Sequence, residues 1–396
     1  MNRTRQTTAT SILLLAALQT QASQFTDSFD GKFDMSEYLS ENAFGFLPVP
    51  IIISEPAVDQ GLGLAGLFFH EEESAAAERK KLMEESANPT RHLIPPSVSA
   101  VVGAYTGNES YMVAGGHFGF YKEGRIRYEG GIGYGDINLD YYSIGDIDLP
   151  VPFALKTEAL FVGNTIKFRL GDWPVFLGPS QTYIDAQLSP RGLSSWFPPE
   201  TPPELIDRLT EVLTDDITTS GVGFELELDR RDNLFTPTEG FVYTLEFMTH
   251  QDEIGSDIEY DRWELEGLNY FQFNDQWRAG VRLGAEAVDS DEVLPPFAMP
   301  GLNMRGIPAA RYQGESVALI EGELTWQFTP RWSVLGFVGA GWADNSSSDL
   351  FDSSSRVSQG AGFRYKIARQ YGMHVGLDVA RGPEDTVWYI QVGSAW

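Results

Sequence analysis

Trp277-Arg278-Ala279-Gly280-Val281-Arg282-Leu283-Gly284-Ala285-Glu286 places an apolar residue at every odd position and a charged residue or glycine at every even one. A repeat of two marks an extended strand, whose side chains alternate between faces, so this stretch is a strand with one apolar and one polar side. The period recurs on both sides of it. Val222, Phe224, Leu226 and Leu228 alternate with Gly223, Glu225, Glu227 and Asp229; Phe241, Tyr243, Leu245 and Phe247 alternate with Val242, Thr244 and Glu246. Further on, Leu324, Trp326 and Phe328 lie opposite Glu321, Glu323, Thr325 and Gln327. Extending the count in both directions gives sixteen segments, the first near 46–55 and the last near 386–396.

The polar face decides the architecture. In a soluble sandwich it meets water and the apolar faces pair; in a transmembrane barrel the apolar face meets lipid and the charged face lines a wet lumen. Three features favour the barrel. Aromatic residues such as Tyr105, Tyr121, Tyr134, Trp263, Trp277 and Trp332 mark strand ends, as in interfacial girdles. The connections alternate between short turns (Lys122-Glu123-Gly124, Asn274-Asp275-Gln276, Thr329-Pro330-Arg331) and long segments at 190–217, 288–315 and 344–355. Sixteen is also an even number, as single-chain bacterial barrels require. The exception is 71–96, a charged stretch read as a polar helix or loop on the short-turn side.

Charge and composition narrow the function. With 56 acidic and 28 basic residues the chain carries a formal charge of −28, which argues against a nucleic-acid partner. The absence of cysteine removes thiolate metal sites and thiol nucleophiles. Arg3 and Arg5, the apolar run Ile12–Leu18 and Thr20-Gln21-Ala22 read as a cleaved export signal over 1–22, leaving a short periplasmic segment at 23–44 and a barrel over 45–396.

Three motifs then carry a resemblance. Pro300-Gly301-Leu302-Asn303-Met304-Arg305-Gly306-Ile307 follows the eleventh strand; Asp229-Arg230-Arg231-Asp232-Asn233-Leu234-Phe235-Thr236-Pro237-Thr238-Glu239-Gly240 joins strands eight and nine; Phe46-Leu47-Pro48-Val49-Pro50 with Gly61-Leu62-Gly63 opens the barrel. Together they resemble the BamA/TamA family of outer-membrane proteins, the bacterial surface antigen barrels. The resemblance implies a sixteen-stranded antiparallel transmembrane β-barrel in the outer membrane of a Gram-negative cell, with the long loop after strand eleven folded inward. It also implies a role in outer-membrane biogenesis, inserting or translocating a protein or lipid client. The expected partners are outer-membrane lipids and the barrel-assembly machinery, with no cofactor, metal or nucleic acid.

Two departures from the family pattern stand out. Residues 23–44 are too few for a POTRA domain, so the chain reads as a POTRA-less member. Where relatives place an Asp on strand thirteen to receive the loop arginine, this chain has Gly339.

By resemblance, Met304, Arg305 and Gly306 form the loop tip, with Arg305 turned into the lumen. An arginine there needs a carboxylate, and Glu321 or Glu323 on the inward face of strand twelve are the candidates. Asp229, Arg231, Asp232, Asn233, Pro237 and Gly240 define the turn motif, and Trp388, Ile390, Val392 and Trp396 the C-terminal assembly signal. Inward charges such as Lys167, Glu225, Glu227, Arg278 and Arg282 mix both signs, which points to mutual neutralisation rather than a selective ion path. Pro48 and Pro50 lack a ladder N–H, which suits a weak seam between the first and last strands.

No enzyme signature is present. Gly61-Leu62-Gly63-Leu64-Ala65-Gly66 matches a nucleotide-loop spacing but lies inside an alternating strand. Ser110 and His117 share one strand but stand about 23 Å apart at strand rise, too far for a hydrolase pair. The expectation is therefore a non-enzymatic barrel for biogenesis, with a plugged or gated pore for small solutes, or a surface interaction protein, as alternatives.

Overall fold

The computed structural model describes residues 25–27, 29–37, 46–70, 97–144, 147–191, 216–234, 237–369 and 372–392. Sixteen strands follow one another in a single antiparallel sheet, each hydrogen-bonded to its sequence neighbours. They are β1 (Phe46–Ile53), β2 (Gly61–His70), β3 (Ser97–Thr106), β4 (Tyr111–Tyr121), β5 (Ile126–Ile144), β6 (Ile147–Arg169), β7 (Val175–Arg191), β8 (Asp216–Asp229), β9 (Gly240–His250), β10 (Tyr260–Gln272), β11 (Trp277–Asp289), β12 (Ser316–Gln327), β13 (Trp332–Asp344), β14 (Arg356–Ala368), β15 (Met373–Arg381) and β16 (Thr386–Val392). The sheet curls into a nearly closed barrel in which β1 comes beside β16.

Alternation sets the two surfaces. On β12, Ile320, Leu324 and Trp326 are exposed on the outside, while Glu321 and Thr325 are buried within. Leu62 and Leu64 on β2, Val101 and Tyr105 on β3, Ile132 on β5 and Val338 on β13 continue the apolar exterior. In water such a band would be costly, and it places the barrel in a membrane. Trp277 stacks on Trp326 with ring centroids 5.8 Å apart, and Trp332 packs on Tyr365, forming part of an aromatic girdle near the short turns.

Two differences from the sequence reading concern the ends. The alternation alone ends the fifth segment near 136 and begins the sixth near 155, but the two run on as one long hairpin, paired to Ile144 and Ile147. Pro150 and Pro152 lie in this stretch. Its inner face is nevertheless apolar, and Tyr141, Phe153 and Leu155 are buried in a cluster with Leu188, Ile217, Tyr260 and Val288. The stretch 71–96 read as a polar helix or loop, residues 192–215 of the long segment 190–217, and residues 1–24 lie outside the described residues.

A second element was unforeseen. Residues 25–37 dock against the turns at the short-turn end of β12–β15. The Met35 N–H donates to the Ile367 carbonyl at 2.7 Å and the Tyr365 hydroxyl to the Phe33 carbonyl at 2.6 Å. Arg331, in the β12–β13 turn, is gripped by three carboxylates, Asp27, Asp30 and Asp34, and Arg369 in the next short turn also holds Asp27. Asp27 and Asp30 titrate below the usual carboxylate range, chiefly because Arg369 and Arg331, respectively, donate hydrogen bonds to them.

Candidate functional site

The long loop between β11 and β12 lies inside the barrel and divides into two parts. Leu294, Ala298 and Met299 pack into the apolar cluster under the β5–β6 hairpin, against the wall formed by β5–β8, β10 and β11. The chain then crosses to the opposite wall, where Leu302, Met304 and Ile307 form a second cluster with Val317 and Leu319 of β12. Burial of these apolar residues fixes the path of the loop. The polar tip at Arg305 and Gly306 decides where it stops.

Arg305 is 8% exposed. Its Nη1 donates to Glu323 Oε2 at 2.8 Å and to Asp378 Oδ2 at 3.3 Å, while Nε lies 3.9 Å from Glu321. Of the two acids expected from strand parity, Glu323 makes the close contact. Asp378, 73 residues further along the chain on β15, was missed. The guanidinium lies over the Phe337 ring, 3.6 Å from its centroid, a face that favours a desolvated cation. The Ser358 hydroxyl donates to the Arg305 carbonyl, and the Tyr389 hydroxyl accepts from the Gly306 N–H at 2.8 Å. The tip therefore touches β12, β13, β14, β15 and β16 in succession.

The surrounding charges form a chain. Arg364 grips Asp378 through both terminal guanidinium nitrogens, with Nη2 at 2.8 Å from Oδ2. Arg282 on β11 bridges Glu266 at 3.1 Å, Glu321 at 3.1 Å and the Asn303 carbonyl at 2.9 Å. Each buried carboxylate thus has a guanidinium, the condition under which charges survive away from bulk water. Gly306 has φ +87° and faces the end of β15, where a Cβ would stand 3.1 Å from both Ala380 Cβ and the Gly382 nitrogen. Any larger residue at the tip would lift it off this wall.

Beyond the tip the loop meets both edges of the seam. The Ala309 N–H donates to Glu55 Oε1 at 3.0 Å in the turn after β1. Arg311 pairs with Glu384 at 3.3 Å in the turn before β16, and the Tyr312 hydroxyl donates to the same carboxylate. Among the described residues no ladder pairing joins β1 to β16. Pairing of β1 with β2 runs from Phe46 to Ile53. Antiparallel strands turn alternate N–H groups to each side, so a β1–β2 ladder with donors throughout uses Leu47, Val49, Ile51 and Ile53. Pro48 and Pro50 then face β16, where they offer it no N–H.

The turn motif is a structural unit. Asp229 accepts from Arg231 Nε and Nη2, both at 3.0 Å, and from Arg127 at 2.9 Å. Asp232 accepts from the Thr238 N–H at 2.9 Å, the Thr238 hydroxyl at 2.7 Å and the Glu239 N–H at 3.1 Å. Pro237 begins the return arm and Asn233 sits at the tip; Gly240 has φ +103°, and a Cβ there would collide with the Arg230 carbonyl. Directly above, Lys167 is 1% exposed and donates to Glu129, Glu225 and Glu227. At the C-terminus, Trp388 and Val392 are exposed on the lipid side and Ile390 shares their parity; Trp396 lies outside the described residues.

No protein-family model and no curated protein matches the chain by sequence. Solved structures do match by shape. BamA from Haemophilus ducreyi lacking POTRA domains 1–3 aligns over 94% of this chain and 81% of its own, at 10% identity and a TM-score of 0.54. CdiB from Escherichia coli aligns over 88% of this chain at 13% identity and a TM-score of 0.56, and CdiB from Acinetobacter baumannii over 88% at 10% and 0.53. This chain spans about three fifths of the CdiB chains, 62% and 59%. At such identities the likeness is one of fold: a sixteen-stranded outer-membrane barrel.

Proposed function

We propose that this barrel serves outer-membrane biogenesis, helping a protein or lipid client into or across the membrane through the seam between β1 and β16. The observation that carries this reading is the position of the inward loop. Its segment from Arg305 to Tyr312 holds the inner wall of β12–β16 and binds carboxylates on both sides of the seam, Glu55 and Glu384. A loop so placed couples occupancy of the lumen to separation of the two edges. The shared fold with BamA and CdiB supports the same reading. Residues 25–37, clamped at the short-turn end, then lie on the periplasmic side, and the long loops on the outside.

The test is loss of the gene followed by quantitative proteomics and lipid analysis of the outer membrane. Changed levels of other barrels, or lipid displaced between leaflets, would support the proposal. Altered uptake of small solutes with an otherwise unchanged membrane would replace it with the pore reading.

A further inference from the structure

The lipid-facing wall carries a polar constellation at the short-turn ends of β2–β5. His70, Ser99 and His117 are 29 and 18 residues apart in sequence, and strand register brings them together: Ser99 lies opposite His117, and His70 opposite Ser97. Their parity is that of Leu62, Leu64 and Val101, so they face outward. The Ser99 Oγ stands 2.9 Å from His117 Nδ1 and 2.8 Å from His70 Nε2, and His117 Nε2 is 2.9 Å from the Tyr121 hydroxyl. More than one proton arrangement satisfies all three contacts, and the one that leaves the serine nucleophilic has Ser99 donating to His117 Nδ1, His117 Nε2–H donating to Tyr121 and His70 Nε2–H donating to Ser99.

Glycines shape the notch around this group. The Tyr121 ring lies over Gly119 and the Tyr128 hydroxyl over Gly130, the cross-strand partner of His117, and a Cβ at either glycine would collide with these rings. The outward band of a membrane barrel is otherwise apolar, so this polar group stands out from its surroundings. Ser99 is two residues in from the start of β3, about 7 Å along the strand. The ester groups of a glycerolipid lie at the rim of a hydrocarbon layer about 30 Å thick, and this group lies near the rim of the strands.

We infer that this face is a serine hydrolase site for acyl esters of membrane glycerolipids. Ser99 Oγ bonds to the ester carbonyl carbon as its proton passes to His117 Nδ1, and the His70 N–H is placed to donate to the carbonyl oxygen as it becomes an anion. The carbon–oxygen bond to glycerol then breaks, and His117 returns the proton to the leaving oxygen, releasing a lysolipid. Water attacks the acyl-serine, gives its proton to His117, and fatty acid leaves as Ser99 recovers its proton. The sum is lipid ester plus water to lysolipid plus fatty acid. Tyr121 is a positioning residue that holds the His117 ring in place through the contact to Nε2. This activity uses the outer wall and is independent of the lumen function proposed above.

The test uses the full chain in vesicles of phosphatidylethanolamine and phosphatidylglycerol, with released fatty acid and lysolipid measured by mass spectrometry. A long-chain sulfonyl fluoride is applied in parallel, and its mass is sought on the Ser99 peptide. The expected result is release that falls on the order of 10³-fold in Ser99→Ala and His117→Gln, and on the order of 10²-fold in His70→Ala. Tyr121→Phe should lower kcat with KM unchanged, a split that a merely structural role would not produce. Barrel integrity is checked by heat-modifiable gel migration. Absence of release above protein-free vesicles together with an unlabelled Ser99, or release by Ser99→Ala equal to wild type, would overturn the inference.

Discussion

Glu321 stands directly across the ladder from Gly339, and its side chain lies over the glycine: a Cβ at 339 would sit 2.8 Å from Glu321 Cγ. The carboxylate that the family resemblance places at 339 is carried here by the neighbouring strand. Gly339→Asp should therefore overfill the wall and lower stability by about 1–3 kcal/mol. Adding Glu321→Gly should recover at least half of the loss in thermal unfolding midpoint. A double variant no more stable than the single one would refute the exchange.

Arg305→Ala removes the cation shared by Glu323 and Asp378. Breaking a buried pair from one side costs about 3–5 kcal/mol, so the tip should detach while Arg364 continues to hold Asp378. In planar bilayers, wild-type protein should give small, flickering currents and the variant larger ones, with a lowered heat-modification temperature. Conductance and heat stability both unchanged would exclude the anchored plug. Arg305→Lys should fall between the two, since a single ammonium cannot make the same fork of contacts.

The clamp on residues 25–37 predicts a pH response with a definite sign. Asp27 and Asp30 have folded pKa values below the free value of 3.8, so their stabilisation is complete above that value and is lost as pH falls through the lowered ones. Docking should be flat between pH 8 and pH 5, by about that window, and should fail only below about pH 4. Because the chain has no cysteine, Lys32→Cys accepts a single fluorophore whose anisotropy reports docking. Arg331→Ala should give low anisotropy already at pH 7; high anisotropy in that variant would remove Arg331 from the clamp.

Gly240→Ala tests the turn motif. With φ +103° and the Arg230 carbonyl in the way, alanine should cost about 1–3 kcal/mol in urea unfolding. Gly31→Ala, at φ +66° with open space around it, should cost less. Equal costs would show that the clash, as opposed to the dihedral alone, contributes nothing.

Period two made the strands legible in Trp277–Glu286 and its repeats, because one face meets lipid and the other water along the whole wall. Parity also put Glu321 and Glu323 on the inner face. It could not select Asp378, since every inward acid on the other strands satisfies the same rule until the loop's path is known. The upper β5–β6 hairpin is not legible in the period alone, because Tyr141 and Phe153 extend the strands by packing on other strands and the loop. The pairing of Ser99 with His117 was invisible for a related reason. Separation along one strand argued against Ser110, and only the register between β3 and β4 brings Ser99 to the histidine.

The grip of Arg331 on Asp30 joins residues 301 positions apart. A ribosome delivers the aspartate long before the arginine, and contacts of such high order form late. Asp27, Asp30 and Asp34 therefore wait without their cations until the strands flanking Arg331 have been laid down. Docking of the N-terminal segment is in this sense a receipt for the far end of the chain, and a truncated product would be recognisable by three bare carboxylates on an unattached leader.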